Sequence, residues 1–178
     1  MPELDVNATQ RAAQIRLMIF DVDGILTDGS LHFSEQGEII KSFHVLDGHG
    51  LKMLQQAGIT TAIISARQSP ILATRAIELG ISHVHQGSHN KLTTYNELLS
   101  ASGLNSTSVG YMADDIMDLP VLTRVGFAIS VPNGHLEVQK RVHYLTHALG
   151  GRGAVREVCD FILQAQGHYD AALAAYVA

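Results

Sequence analysis

The sequence predicts an α/β fold, a doubly wound parallel sheet with a small β-hairpin inserted after the first strand, and three observations point to it. Short apolar runs alternate with helical patterns from the first quarter of the chain to its end. Those runs are rich in Val, Ile and Phe and do not alternate with polar residues, as suits strands buried on both faces. Acids, a hydroxyl and a lysine follow the ends of the runs, where an open parallel sheet places its ligands.

Each element has a local cause. Residues 1–14 read as a frayed polar arm. Residues 15–20 form the first strand, and Gly24 and Gly29 mark the turn that leaves it. Residues 30–45 break the alternation. Two extended runs flank Glu35-Gln36-Gly37, a hairpin-turn composition. An isolated hairpin is marginal in water, so Phe33, Ile39, Ile40 and Phe43 need cover, most simply from a neighbouring subunit. A helix follows and stops at Gly58. Residues 59–65 are a buried strand. Ser69 and Pro70 open a helix that runs to Gly80. Residues 82–86 are a short strand, and Asn90 caps a helix through Leu99. Residues 108–112 are a strand, 115–122 a short helix, 125–129 and 142–145 strands, and 153–166 the last helix. No repeat or linker divides the chain, so residues 1–178 form one domain.

Composition narrows the function. At 178 residues with 46% hydrophobic content, the chain can bury a sizeable core. Its 16% charged content is low enough to suggest buried subunit contacts. A net charge of −5 and the lack of Lys/Arg runs argue against a nucleic-acid partner. No apolar run reaches the length of a membrane span and no signal peptide opens the chain, so a cytoplasmic location is expected. The single cysteine, Cys159, lies in an apolar helical pattern and reads as a small buried hydrophobe.

The chemistry is concentrated at four strand ends. They carry Asp21 and Asp23; Ser65-Ala66-Arg67; Lys91; and Asp114-Asp115 with Asp118 one turn on. Like charges about 4 Å apart repel by roughly 4 kcal/mol at a protein-surface dielectric. Lys91 and Arg67 offset part of that, and a hard divalent cation with oxygen ligands, Mg²⁺, would offset the rest. Phosphoryl transfer through an aspartyl phosphate needs this set. Asp21 is the nucleophile, and Asp23 protonates the leaving oxygen and then activates water. Ser65 and Lys91 stabilise the phosphoryl charge.

Asp21-Val22-Asp23-Gly24, Ser65, Lys91 and Asp114-Asp115 with Asp118 resemble, in order and spacing, the four motifs of the haloacid dehalogenase superfamily. Within it, several further stretches resemble the 3-deoxy-D-manno-octulosonate 8-phosphate (KDO 8-phosphate) phosphatase family. They are residues 21–29, 37–43, Asp47-Gly48, Gln86-Gly87 with Asn90-Lys91, and residues 150–157 running on to Gly167.

The resemblance implies Mg²⁺ held by Asp21, the Asp23 backbone carbonyl and Asp114, with Asp115 and Asp118 behind them. It implies substrate contacts at Asp23, His44, Val45, Leu46, Asp47, Gly48, Lys52, Arg67, Arg75 and Lys91. It implies a homotetramer whose hairpins form a barrel and whose tails cover neighbouring sites, acting in lipopolysaccharide synthesis. Ala66 and Ala113 stand where the family usually has Gly, and Val131-Pro132-Asn133 replaces a small-acidic-small stretch. Leu46 stands where an Arg is usual, which keeps open a nine-carbon sialic-type sugar phosphate as substrate.

Other readings stay beside these. A response-regulator phosphoacceptor domain shares the sheet, acids, hydroxyl and lysine, but its phosphorylated Asp ends a later strand, where Ser65 and Ala66 stand here. Asp118 reads equally as a surface acid or a ligand. Residues 150–153 are a loop-to-helix joint or an anion nest. His83 and His85 lack partners at zinc spacing.

Overall fold

The computed structural model describes residues 6–177. Its strands are β1 (Leu17–Phe20), β2 (His32–Ser34), β3 (Gly37–Ile40), β4 (Thr60–Ile64), β5 (His83–His85), β6 (Val109–Met112), β7 (Phe127–Ser130) and β8 (Tyr144–Leu145). Its α-helices are α1 (Val6–Ala12), α2 (Val45–Gln56), α3 (Pro70–Leu79), α4 (Lys91–Ser102), α5 (Leu119–Leu122), α6 (Leu136–Gln139), α7 (Ala154–Ala165) and α8 (Tyr169–Val177).

Six strands pair in parallel in the order β5-β4-β1-β6-β7-β8. β1 lies inside the sheet and is buried at every position. Met18 and Phe20 feed one apolar cluster, Leu17 and Ile19 the other. Apolar side chains on both faces explain why its sequence is continuously apolar. Helices α1, α2, α3 and α7 cover the first cluster, and α4, α5 and α6 the second. The chain builds outward from β1 through β4 and β5, then crosses back to β6. The switch therefore falls beside β1, and the ends of β1, β4 and β6 open one crevice.

Local signals behave as their chemistry requires. The Ser69 hydroxyl accepts from Leu72 N at 3.3 Å with Pro70 in the first turn of α3, and Asn90 accepts from Thr93 N at 3.2 Å above α4. Cys159 is fully buried.

Four segments differ from expectation. The arm expected over residues 1–14 is helical at Val6–Ala12, with Ala8 and Ala12 fully buried; residues 1–5 lie outside the described residues. Its buried face is two alanines one turn apart, too weak an apolar signal to stand out among polar neighbours. The hairpin is shorter than residues 30–45. β3 ends at Ile40, Lys41 turns inward to 8% exposure, Phe43 packs against the chain's own core, and Val45 already begins α2. α6 was not anticipated. The small apolar tail forms α8, which packs on α7 through Tyr169 and Ala172, while the Tyr176 ring meets His49 edge-on at 5.5 Å. Ala178 lies outside the described residues.

Candidate active site

The loop after β1 is wedged in place by backbone. Asp21 N donates to Met112 O at 2.9 Å, and Thr27 N returns to Val22 O at 3.0 Å. Gly24 has φ +86°, and a Cβ there would lie 2.1 Å from Asp114 Oδ2. Glycine thus supplies both the left-handed turn and the room for Asp114. Behind the loop, Gly151 N donates to Ile25 O at 2.8 Å, and a Cβ on Gly150 would sit 1.7 Å from Gly24 O. Residues 150 and 151 therefore buttress the acid loop. Their amides are spent within the protein, Gly150 N on Asn133 Oδ1 at 2.9 Å and Gly151 N on Ile25 O, and in the first turn of α7 Asp47 Oδ1 accepts from Arg156 N at 2.8 Å.

Three acids converge. Asp21, Asp114 and Asp118 each offer an oxygen within 4.8 Å of the others. Lys91, at the first position of α4 and 3% exposed, bridges two of them, at 2.8 Å from Asp21 Oδ2 and 2.6 Å from Asp118 Oδ1. Tyr111 Oη donates to the same Asp118 oxygen at 2.5 Å. Asp118 Oδ2 is buried with no hydrogen-bond partner among the described residues.

Burial works against the Lys91 charge, but Asp21 and Asp118 outweigh it and hold the ammonium above the usual lysine range. Burial raises the Asp21 carboxyl while Lys91 pulls it down. Burial, then the Asp118 and Asp115 charges, push Asp114 up to about 6. One lysine does not neutralise three such acids. An all-oxygen donor set with an orphaned buried acceptor and raised carboxyls fits a hard divalent cation such as Mg²⁺. Asp115 is exposed, and its carboxylate accepts from Ile116 N at 2.7 Å, turning the chain into the short helical segment that carries Asp118.

Asp23 lines the same cleft with partners of its own. Its Oδ1 pairs with Lys41 and its Oδ2 lies 3.6 Å from Arg67 Nε. Both cations also meet Glu38 Oε1, at 3.1 Å from Lys41 and 3.6 Å from Arg67. The Ser69 hydroxyl donates to the other Glu38 oxygen at 2.5 Å. Ser65 is 2% exposed, and its Oγ accepts from Arg67 N at 3.3 Å. One open cleft is lined by Asp21, Asp23, Gly29, Ser65, Ala66, Arg67, Lys91, Asp114, Asp115 and Met117.

The remaining predicted substrate residues do not line that cleft. Asp47 is 1% exposed, and burial raises its carboxyl against the pull of the Arg156 N–H. Gly48 is buried, and a Cβ there would lie 2.5 Å from an Arg75 Nη. Arg75 stacks over Phe43 at 5.9 Å and pairs with Glu78 at 2.9 Å. His44, Asp47, Gly48 and Arg75 instead border a separate, mostly apolar cavity between α2 and α3. Val45, Leu46 and Lys52 are exposed on α2.

Lys41, Glu38 and Tyr111 are members of the site that sequence reasoning passed over. Lys41 and Glu38 sit in the Gly-Glu-Ile-Ile-Lys stretch, where a charged pair three residues apart reads as a solvated face. Tyr111 stands in an otherwise apolar strand, and its hydroxyl needed a buried partner.

No protein-family model matches the chain. Among curated proteins, 3-deoxy-D-manno-octulosonate 8-phosphate phosphatase of Yersinia pestis is 45% identical over 163 residues, 92% of this chain and 87% of that protein. Among solved structures, the Moraxella catarrhalis phosphatase of the same name, in complex with magnesium ion, phosphate ion and KDO, superposes with TM-score 0.93 at 44% identity. That match covers 95% of this chain and 97% of the other. The cobalt-bound form of the Haemophilus influenzae enzyme superposes with TM-score 0.88 at 42% identity, covering 90% and 94%.

Proposed function

The chain belongs to the KDO 8-phosphate phosphatase family of the haloacid dehalogenase superfamily, and we propose on that premise that Asp21 carries its hydrolysis of KDO 8-phosphate to KDO and phosphate. The observation that carries this reading is the convergence of Asp21, Asp114 and Asp118, with the Lys91 ammonium bridging the first and the last, at the end of an interior strand.

An Asp21 carboxylate oxygen attacks phosphorus, the bond to the sugar oxygen breaks, and Asp23 gives that oxygen its proton. Water then attacks the aspartyl phosphate, Asp23 takes its proton, and phosphate leaves Asp21 free. Lys91, the Ser65 hydroxyl and the loop amides hold the phosphoryl oxygens, in a cleft where such donors need little reorganisation. Asp21, the Asp23 carbonyl and Asp114, with Asp118 behind them, would hold Mg²⁺, which would supply positive charge to the phosphoryl group. Arg67, which lines the cleft, would meet an acidic sugar.

Phosphate release from KDO 8-phosphate, compared with a nine-carbon sialic-type ester, tests the reading. A higher kcat/KM for the KDO ester is expected, with activity lost to EDTA and restored by Mg²⁺. Preference for the longer sugar would replace the substrate, a result that exposed Leu46 makes worth seeking. Indifference to chelation would remove the mechanism.

The family's place in lipopolysaccharide synthesis suits a cytoplasmic enzyme, and no helix among the described residues is long and apolar enough to cross a membrane. A homotetramer is proposed from the hairpin. Leu31, Phe33, Ile39 and Ile40 are 44–55% exposed on a two-stranded ribbon that needs cover. Four such ribbons closing into a barrel would bury them. Light scattering should give four chain masses, and fewer for Ile39→Asp; a native monomer would end this proposal.

A further inference from the structure

The foot of the hairpin reaches the chemistry. Lys41 is the first residue after β3, its side chain is 2% exposed, and no bulk water solvates its ammonium. A lysine so buried needs anionic partners, and it has two, Asp23 from the β1 loop and Glu38 from β3. Arg67, from the end of β4, spans the same two acids. The four charges form a closed ring, Asp23–Lys41–Glu38–Arg67, in which two cations hold the two oxygens of Asp23. The ring is tied to the scaffold where Ser69, the cap of α3, donates to Glu38 at 2.5 Å.

The two cations are unequal. The Arg67 side chain is 38% exposed and stands 3.6 Å away, while Lys41 is enclosed and in direct contact. Lys41 therefore sets the direction of the Asp23 side chain. Asp23 follows Asp21 by two residues on a loop whose backbone is fixed, so only its side chain remains to be aimed.

We propose that Lys41, braced by Glu38, is a positioning residue that aims Asp23 at the leaving-group oxygen. The hairpin would then be a working part of the proton-transfer machinery in its own subunit, besides any role between subunits. The inference rests on Asp23 being the general acid, and the test separates the two.

The measurement is kcat/KM, which reports steps through phosphoenzyme formation, on KDO 8-phosphate and on p-nitrophenyl phosphate. The alkyl leaving group needs a proton; nitrophenolate leaves without one. Lys41→Met should lower kcat/KM on the alkyl ester on the order of 10²-fold and on the aryl ester by less than about threefold. Lys41→Arg should recover most of the alkyl rate. Should Lys41→Met fail to fold, Glu38→Gln, which keeps the bond from Ser69 but drops the charge that braces Lys41, should show the same inequality at smaller size. Equal losses on both esters, no loss, or a faster alkyl reaction would each overturn the proposal. Asp23→Asn runs alongside. If it too lacks the inequality, the general-acid reading fails; if it has it and the Lys41 variants do not, only the positioning role fails.

Discussion

Asp21→Asn is expected to abolish turnover, with kcat falling on the order of 10⁵–10⁶-fold, as when a covalent nucleophile is removed from an enzyme that works through one. Asparagine matches aspartate in shape. Its amide oxygen can still accept from Val22 N, the 2.7 Å bond that Asp21 Oδ1 makes, and Lys91 keeps Asp118 as a partner at 2.6 Å. The variant should therefore fold, with an unchanged far-ultraviolet spectrum and a cooperative melt. It lacks an anionic oxygen to attack phosphorus, while Asp118 is enclosed by Lys91 and Tyr111 and Asp23 is paired with Lys41. Rapid-quench measurement should find no phosphoenzyme. Normal turnover would move the nucleophile elsewhere, and an unfolded variant would mean that the charge on Asp21 holds the loop as well as reacting.

How much of this was legible in the sequence follows from how local each signal is. The Asp21 loop was plain, since an apolar strand, two acids and a glycine are neighbours in the chain, and the glycine is dictated by a clash with Asp114 that only the fold reveals. Lys91 was legible because Asn90 caps its helix and so fixes it at a strand end. Asp118 was not. One turn beyond Asp115 it reads equally as a surface acid or a ligand, and only the fold shows it fully buried, because the chain turns it under Lys91 and Tyr111. Lys41 and Glu38 were missed for a related reason. Their partners Asp23, Arg67 and Ser69 lie in other segments, and the contacts exist only once the hairpin folds back on β1 and β4. Asp47 shows the reverse. Its neighbour Gly48 and the family pattern suggest a substrate contact, but within one chain Asp47 is buried and its Oδ1 accepts from the first turn of α7.

Lys91→Met should cost both stability and activity, and the two losses should separate. The lysine side chain is 2% exposed between Asp21 and Asp118, whose side chains are 10% and 0% exposed. Methionine fills similar volume, so packing changes little. What remains is two acids facing each other with no cation, and breaking a buried ion set by removing one member typically costs about 3–5 kcal/mol. In a urea melt without added metal, the midpoint should fall with the slope unchanged. Asp118→Asn in the same background removes the repulsion and should recover part of that stability, a coupling expected of residues in direct contact. Activity should not return with it. On the proposed mechanism the ammonium, 2.8 Å from Asp21, would also meet the phosphoryl oxygens, and a methionine thioether cannot replace it. A double variant regaining both stability and turnover would reduce Lys91 to a counter-charge. A single variant as stable and as fast as the parent would deny it both roles and, with them, the electrostatic account of why these acids gather at the end of β1.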